Sequence, residues 1–161
     1  MKKIFLALML ILGIATTKTF ALGIGIQAGP VVGSGFHSGG AITFKLDQLP
    51  CVFAVAIPSF DPFAIGVTAD WWMENPTIKD FWKWYYGFGA AGAFYVNGDD
   101  GDSSAALGVG GRILIGTNVL LLNDVLELYA QAAWQPMLFV GNGIGTHFFN
   151  FPIDIGVRLW F

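Results

Sequence analysis

The sequence is poor in charged residues and in cysteine. Only 12% of its 161 residues are charged, and the one cysteine is Cys51. Soluble domains carry about 25% charged residues, so an ordinary water-facing surface is not expected here. A single cysteine excludes an intrachain disulfide and a zinc site built from several cysteines. The low charge predicts a fold that keeps much of its surface away from water.

Long apolar runs are also scarce. The one candidate begins the chain, MKKIFLALMLILGIATTKTFA, in which two lysines precede an apolar run over residues 4–15. This run is shorter than the roughly 20 residues of a spanning helix, which disfavours a retained membrane anchor. A basic start, a short apolar segment and small residues before Ala21 are typical of a secretory signal. We therefore predict a signal peptide at 1–21 and one exported domain at 22–161.

The predicted exported domain is mildly acidic. The chain has eight Lys and Arg, three of them within residues 1–21, which leaves five basic residues against eleven acidic ones. This balance argues against nucleic acid as a partner. Hydrophobic residues nevertheless make up 55% of the chain. Only helices and closed β-barrels satisfy all backbone groups within lipid, so an exported apolar chain without spanning helices predicts a barrel.

Alternation of period two runs through residues 22–161. It is clearest over 151–161, where every second residue from Phe151 to Phe161 is apolar. Such alternation predicts strands with one apolar face. The predicted fold is all-β, an eight-stranded antiparallel up-and-down transmembrane β-barrel. Its predicted strands are 22–30, 38–46, 51–57, 62–72, 82–96, 105–115, 125–135 and 151–161.

The charges within these strands all fall opposite the large apolar residues. A Lys or Arg that faces mid-bilayer lipid costs about 2–4 kcal/mol, which explains this placement. A soluble exported barrel or sandwich is the alternative, but it would bury the large side chains rather than the Gly and Ala that accompany the charges here. The predicted polar network of the lumen is Lys45, Asp70, Lys83, Arg112, Glu127, Gln131, Asp154 and Arg158.

This network has two interpretations, a plug of ion pairs or an ion pathway. The interior of an eight-stranded barrel is only wide enough for side chains to fill it, which favours the plug. Charges that are buried together must pair, and one pairing between neighbouring predicted strands is Arg158 with Glu127.

The whole pattern resembles a family of known proteins. A signal-like start, eight alternating strands and a last strand that ends in Phe161, preceded by Leu159 and Val157 at two-residue steps, resemble small outer-membrane barrels of the OmpX and OmpA transmembrane-domain type. The Gly- and Phe-rich stretches GVTADWW and GIGIQAGP are similar to small barrels of spirochaetes. The resemblance implies an outer-membrane location, contact with outer-membrane lipids, and recognition of Phe161, Leu159 and Val157 by the barrel-assembly machinery.

The resemblance also implies a topology with both termini in the periplasm. The outer loops are then expected at 30–39, 58–61, 97–104 and 135–151. The inner turns are expected at 47–50, 73–80 and 117–124.

Candidate chemical sites are weak. The stretch NGDDGDSS at 97–104 carries three Asp but lacks the alternating ligands of a calcium loop, so we interpret it as an acidic hairpin. His37 and His147 lie in predicted outer loops near several serines, yet a Ser–His–acid site requires geometry that the sequence does not specify. We expect no catalytic residues, no metal and no cofactor.

The function expected from the sequence is a non-catalytic one. It is that of a monomeric, cell-surface outer-membrane barrel whose loops serve structural or adhesion-like interactions with an extracellular or host ligand. The alternative is a porin-like narrow pore, or a conduit of the OmpW type for small or hydrophobic solutes. An outer-leaflet lipid-modifying enzyme ranks third.

Overall fold

The structure is a computed structural model that describes residues 21–33, 37–60, 63–74, 78–79, 81–99, 102–141 and 144–161. The predicted signal peptide therefore lies outside the described residues, apart from Ala21. The described residues form ten β-strands and no helix. The strands are β1 Leu22–Gly33, β2 His37–Leu46, β3 Cys51–Phe60, β4 Phe63–Glu74, β5 Trp82–Asp99, β6 Asp102–Leu121, β7 Leu126–Trp134, β8 Met137–Val140, β9 Ile144–His147 and β10 Asn150–Trp160.

The strands form one closed antiparallel sheet. Chain neighbours pair from β1 through β7, and β10 pairs with both β7 and β1. The pairing of β5 with β6 joins the two halves and closes the ring. Strands β1–β7 and β10 make the eight walls, while β8 pairs with the outer part of β6 and β9 pairs with β8. The predicted all-β, eight-stranded antiparallel barrel is confirmed.

The two ends of the barrel differ in their connections. One end, here called the turn end, carries the turns at 47–50 and 122–125, and there Leu22 and Phe161 exchange two backbone hydrogen bonds of 3.1 Å. The other, the hairpin end, carries the connections β1–β2, β3–β4, β5–β6 and β8–β9. The predicted loops and turns are thus assigned to the correct ends relative to one another.

One turn differs from its predicted position. Strand β6 continues to Leu121, so the turn lies at 122–125 rather than 117–124. Leu122, Asn123 and Asp124 have φ angles of 55°, 56° and 68°. Asn and Asp tolerate this left-handed conformation, whereas Leu rarely adopts it. The turn therefore depends on a backbone conformation that apolar periodicity does not indicate.

Strands extend into two of the predicted loops, 97–104 and 135–151. Strands β5 and β6 stay paired as far as Asp99 and Asp102, and β8 and β9 form a hairpin within 135–151. Pro136 has no backbone N–H, so the ladder is interrupted between β7 and β8. At this interruption Gln135 is bonded to Asn150, the first residue of β10. Gln135 N donates to Asn150 O at 2.8 Å, and Asn150 Nδ2 donates to Gln135 O at 3.0 Å.

The barrel has an apolar outside and a polar inside. Ile26 is 62% exposed, Ile113 60% and Ile155 71%, whereas Glu127 and Arg158 inside are 0% exposed. This is the reverse of a soluble protein, in which charged residues are almost never fully buried. The alternation in the sequence predicts the same two faces.

Among the described residues, no helix has the length and apolar character that crossing a membrane would require.

Candidate functional site: the filled lumen

The eight predicted lumen residues all lie on strands with their side chains on the interior face. Six are buried and two, Lys83 and Asp154, are half-buried. The structure divides them into groups rather than into one continuous network. The buried six are Lys45, Asp70, Arg112, Glu127, Gln131 and Arg158.

An ion pair on the turn-end side forms the first group. Arg158 on β10 lies directly opposite Glu127 on β7, and its Nη1 donates to Glu127 Oε2 at 2.7 Å. Glu127 also accepts hydrogen bonds from Asn118 Nδ2 at 2.9 Å and from Trp160 Nε1 at 3.0 Å. A fully buried carboxylate needs such partners, because desolvation costs several kcal/mol for each ion. The strand register therefore brings the predicted pair together, and Asn118 and Trp160 donate two further hydrogen bonds to the carboxylate.

Three aromatic rings surround this ion pair. Trp72 and Tyr85 stack with centroids 3.8 Å apart and planes 11° apart, and the edge of Tyr129 meets Trp72 at 5.7 Å. The guanidinium carbon of Arg158 lies 4.7 Å from the Tyr129 centroid and 5.3 Å from the Trp72 centroid. These are cation–π distances. We call Trp72, Tyr85, Glu127, Tyr129 and Arg158 the plug.

Sequence reasoning did not assign the three rings to the site. Their signal is nevertheless present, since Trp72, Tyr85 and Tyr129 each lie two residues after an inward charge, namely Asp70, Lys83 and Glu127. Residues two apart on a strand share a face. The alternation within each strand thus puts the rings on the inner face, but it does not show that they fill the lumen.

Two glycines make room for the rings of the plug. A Cβ at Gly116 would overlap the ring of Tyr85, and a Cβ at Gly156 would overlap the ring of Tyr129. Close approach of this kind is one of the uses of glycine in a strand. Large inward side chains on β5 and β7 are thus matched by missing side chains on β6 and β10.

A second group lies towards the hairpin end. Arg112 Nε is 2.9 Å from Asp70 Oδ1, and Arg112 Nη1 donates to Gln135 Oε1. Gln131 Nε2 donates to Asp154 Oδ2 at 3.2 Å. Asp154 makes no ion pair with any described residue. Tyr85 Oη donates to Gln131 Oε1 at 3.3 Å and so links this group to the plug.

The plug separates two cavities. The hairpin-side cavity has a volume of about 570 Å³ and reaches Arg112 and Asp154. The turn-side cavity has a volume of about 560 Å³ and reaches Trp72 and Glu127. No described residue lines both cavities. The described residues therefore form two distinct cavities, one on either side of the plug.

The remaining candidate residues are only partly described. His147 is exposed, with its ring 4.9 Å from that of Phe139, and the side chain of His37 lies outside the described part. The backbones of Asp99 and Asp102 pair at the end of the β5–β6 ladder. Among the described residues, no group of three or more His, Cys, Asp and Glu could hold a metal ion. Of the predicted assembly motif, Leu159 is 45% exposed and Phe161 75% exposed, and Val157 is half-buried.

Two solved barrels resemble this fold. The N-terminal β-barrel domain of Pseudomonas aeruginosa OprF matches with a TM-score of 0.59 and 14% identity, over 86% of this chain and 97% of that one. Neisserial surface protein A, NspA, matches with a TM-score of 0.57 and 18% identity, over 88% of this chain and 97% of that one. No protein-family model and no curated protein sequence matches the chain. The expected resemblance to small eight-stranded outer-membrane barrels is confirmed at the level of the fold.

Loss of charge on Glu127 should destabilise the barrel strongly. In Glu127→Gln the buried guanidinium of Arg158 loses its counter-ion, and we expect the free energy of unfolding to fall by about 3–5 kcal/mol. Urea unfolding of the refolded protein, followed by tryptophan fluorescence, measures the change. The matched control is Asp47→Asn at an exposed carboxylate of the turn end, for which we expect less than about 0.5 kcal/mol. Equal stability of the two variants would contradict a structural role for the ion pair.

Proposed function

We propose that the protein is an integral outer-membrane β-barrel with a closed lumen, and that its hairpin end contacts partners outside the cell. The inverted polarity of the barrel carries this proposal. Its outer wall is apolar along the middle of the strands, and two ion pairs lie buried in its interior. A closed sheet also leaves no wall strand with an unpaired edge, which lipid requires and which suits a monomer. Its lipid contacts follow from the apolar outer face.

A plugged lumen supports a role other than conduction. The plug residues are buried, and the cavities above and below share no described residue. A narrow pore would require the plug residues to move, and each of these residues has several contacts in the interior. The pore and conduit alternatives are therefore weaker than the closed barrel.

The hairpin end has features of a contact surface. Ile144 is 80% exposed, Phe148 57% and Phe149 67%; Ile144 begins β9, and the two phenylalanines connect β9 to β10. Exposed apolar groups in one region are typical of interaction sites. A non-catalytic, adhesion-like role agrees with this surface. Recognition by the assembly machinery at Phe161, export by the signal at 1–21 and periplasmic termini belong to the same proposal.

A cation on the middle of the outer wall should be costly if that wall faces lipid. Ile155 is 71% exposed at the centre of β10. We expect Ile155→Lys to lower the free energy of unfolding in lipid vesicles by about 2–4 kcal/mol, because a lysine at the bilayer midplane is poorly solvated. The control is Leu121→Lys at the turn end of β6, where the expected cost is about 0–1 kcal/mol. Equal costs at the two positions would contradict a lipid-facing wall.

The closed lumen predicts the absence of steady channels. The wild-type protein in planar bilayers should show no stable single-channel conductance. Trp72→Ala combined with Tyr85→Ala removes the stacked pair, joins the two cavities and should produce conductance. The control removes two outward aromatics, Trp71→Ala with Trp84→Ala, and should remain silent. A stable wild-type channel would be evidence against the plug.

The orientation can be tested by labelling single cysteines on intact cells. In a Cys51→Ser background, Gly145→Cys places a thiol at the hairpin end, where a Cβ meets no atom within 4 Å. Gln48→Cys places a thiol in an exposed turn at the other end. A membrane-impermeant maleimide should label Gly145→Cys on intact cells, and Gln48→Cys only after the outer membrane is permeabilised. The reverse pattern would invert the topology.

A further inference from the structure

The hairpin-side cavity has the dimensions of a ligand site. Its volume of about 570 Å³ lies within the roughly 300–1,000 Å³ typical of small-molecule pockets. Small residues form one wall, and Tyr95, Met137 and Phe139 form the other. The plug closes the cavity towards the turn end, so a ligand has to enter from the hairpin end. The small residues of the first wall include Gly40, Ala54, Ala56, Ala64 and Gly66.

Two polar groups of this cavity are only partly satisfied, the carboxylate of Asp154 and the guanidinium of Arg112. Asp154 lines the cavity, is half-buried, and accepts one hydrogen bond, from Gln131. A carboxylate has about four acceptor positions, so capacity remains for a donor. Arg112 also lines the cavity and donates to Asp70 and Gln135, while its Nη2 has no hydrogen-bond partner among the described residues. The three charges Arg112, Asp70 and Asp154 leave the region with one net negative charge.

The connections at the hairpin end are acidic in sequence. The sequence segments at the hairpin end are 30–40, 57–63, 97–104 and 135–150, and they contain four Asp and neither Lys nor Arg. Net negative charge on these connections raises the local concentration of cations around the hairpin end.

We propose that this cavity binds a small organic cation, a primary ammonium carried on a short apolar body. The ammonium donates to the Asp154 carboxylate, and the apolar body packs between the wall of Gly and Ala and the aromatic side chains Tyr95 and Phe139. An anionic ligand would meet the net negative charge of the site. A purely apolar ligand would displace water from Asp154 without replacing its hydrogen bonds, which is unfavourable. This site goes beyond the proposed interaction role and does not depend on which partner meets the hairpin end.

Three probes with the same chain length separate the possible ligand charges. They are hexylammonium, hexanol and hexanoate, titrated into the isotopically labelled wild-type protein in zwitterionic micelles and followed by the backbone amide resonances. We expect hexylammonium to shift the amides of Ala54, Thr68 and Asp154 saturably. We expect its affinity to exceed that of hexanol by about tenfold or more, since charge-assisted hydrogen bonds are the stronger ones. Hexanoate should bind most weakly of the three.

Two variants assign the site. Asp154→Asn keeps an acceptor for Gln131 and removes the charge, so hexylammonium should lose about tenfold or more in affinity while hexanol is unaffected. Gly66→Leu fills the cavity, since a Cβ there meets its nearest atom at 3.8 Å, and should abolish saturable binding. The matched control is Gly111→Leu on the outer wall, where a Cβ meets nothing within 4 Å and binding should be unchanged.

Several results would overturn the proposal. Shifts that persist in Gly66→Leu would mean partition into the micelle rather than binding in the cavity. Unchanged hexylammonium affinity in Asp154→Asn would remove the carboxylate from the site. Tighter binding of hexanoate than of hexylammonium would reverse the charge assignment. If Asp154→Asn fails to fold, the ranking of the three probes in the wild type, together with Gly66→Leu, still decides.

Discussion

The buried ion pair of Arg158 and Glu127 is the interaction on which the interior of the barrel depends. Both residues are 0% exposed, so neither charge keeps its hydration. Glu127 replaces water with Arg158, Asn118 and Trp160 as donors. Arg158 Nε and Nη2 have no hydrogen-bond partner within the described structure, but the guanidinium lies against the rings of Tyr129 and Trp72. The π faces thus offset part of the missing solvation, and the aromatics and the ion pair must be present together.

This requirement explains features of the wall that lie outside the ion pair. The rings of Tyr85 and Tyr129 fit only because Gly116 and Gly156 lack side chains. A lumen of eight strands has room for side chains and little else, so each large group inside has to be matched by a small one. This matching explains part of the high glycine content of the chain, because these glycines lie on the strands next to the large side chains of the plug.

The sequence predicts the barrel well and its filling less well. Period-two alternation identifies the eight walls. Lys45, Asp70 and Arg112 each alternate with the large apolar residues of their own strand, which predicts which face is interior. The rings of the plug have the same parity, but their stacking depends on the stagger between strands, which alternation within one strand does not specify. Strands β8 and β9 have four residues each, too few to display a period. The turn at 122–125 rests on positive φ angles at non-glycine residues, for which the sequence carries little signal.

The two levels of the lumen are filled unequally, and this difference follows from the residue types. At the level of the plug, tryptophan, tyrosine and arginine fill the interior. At the level of Ala54, Ala56 and Gly66 the inward side chains are too small to meet across the barrel, and the hairpin-side cavity results. The residues that line such a space lack the dispersion contacts that larger side chains would supply. Filling it would be simple, since a Cβ at Gly66 has ordinary contacts only. Stability of the barrel therefore does not account for the cavity, whereas a bound ligand would supply the missing contacts.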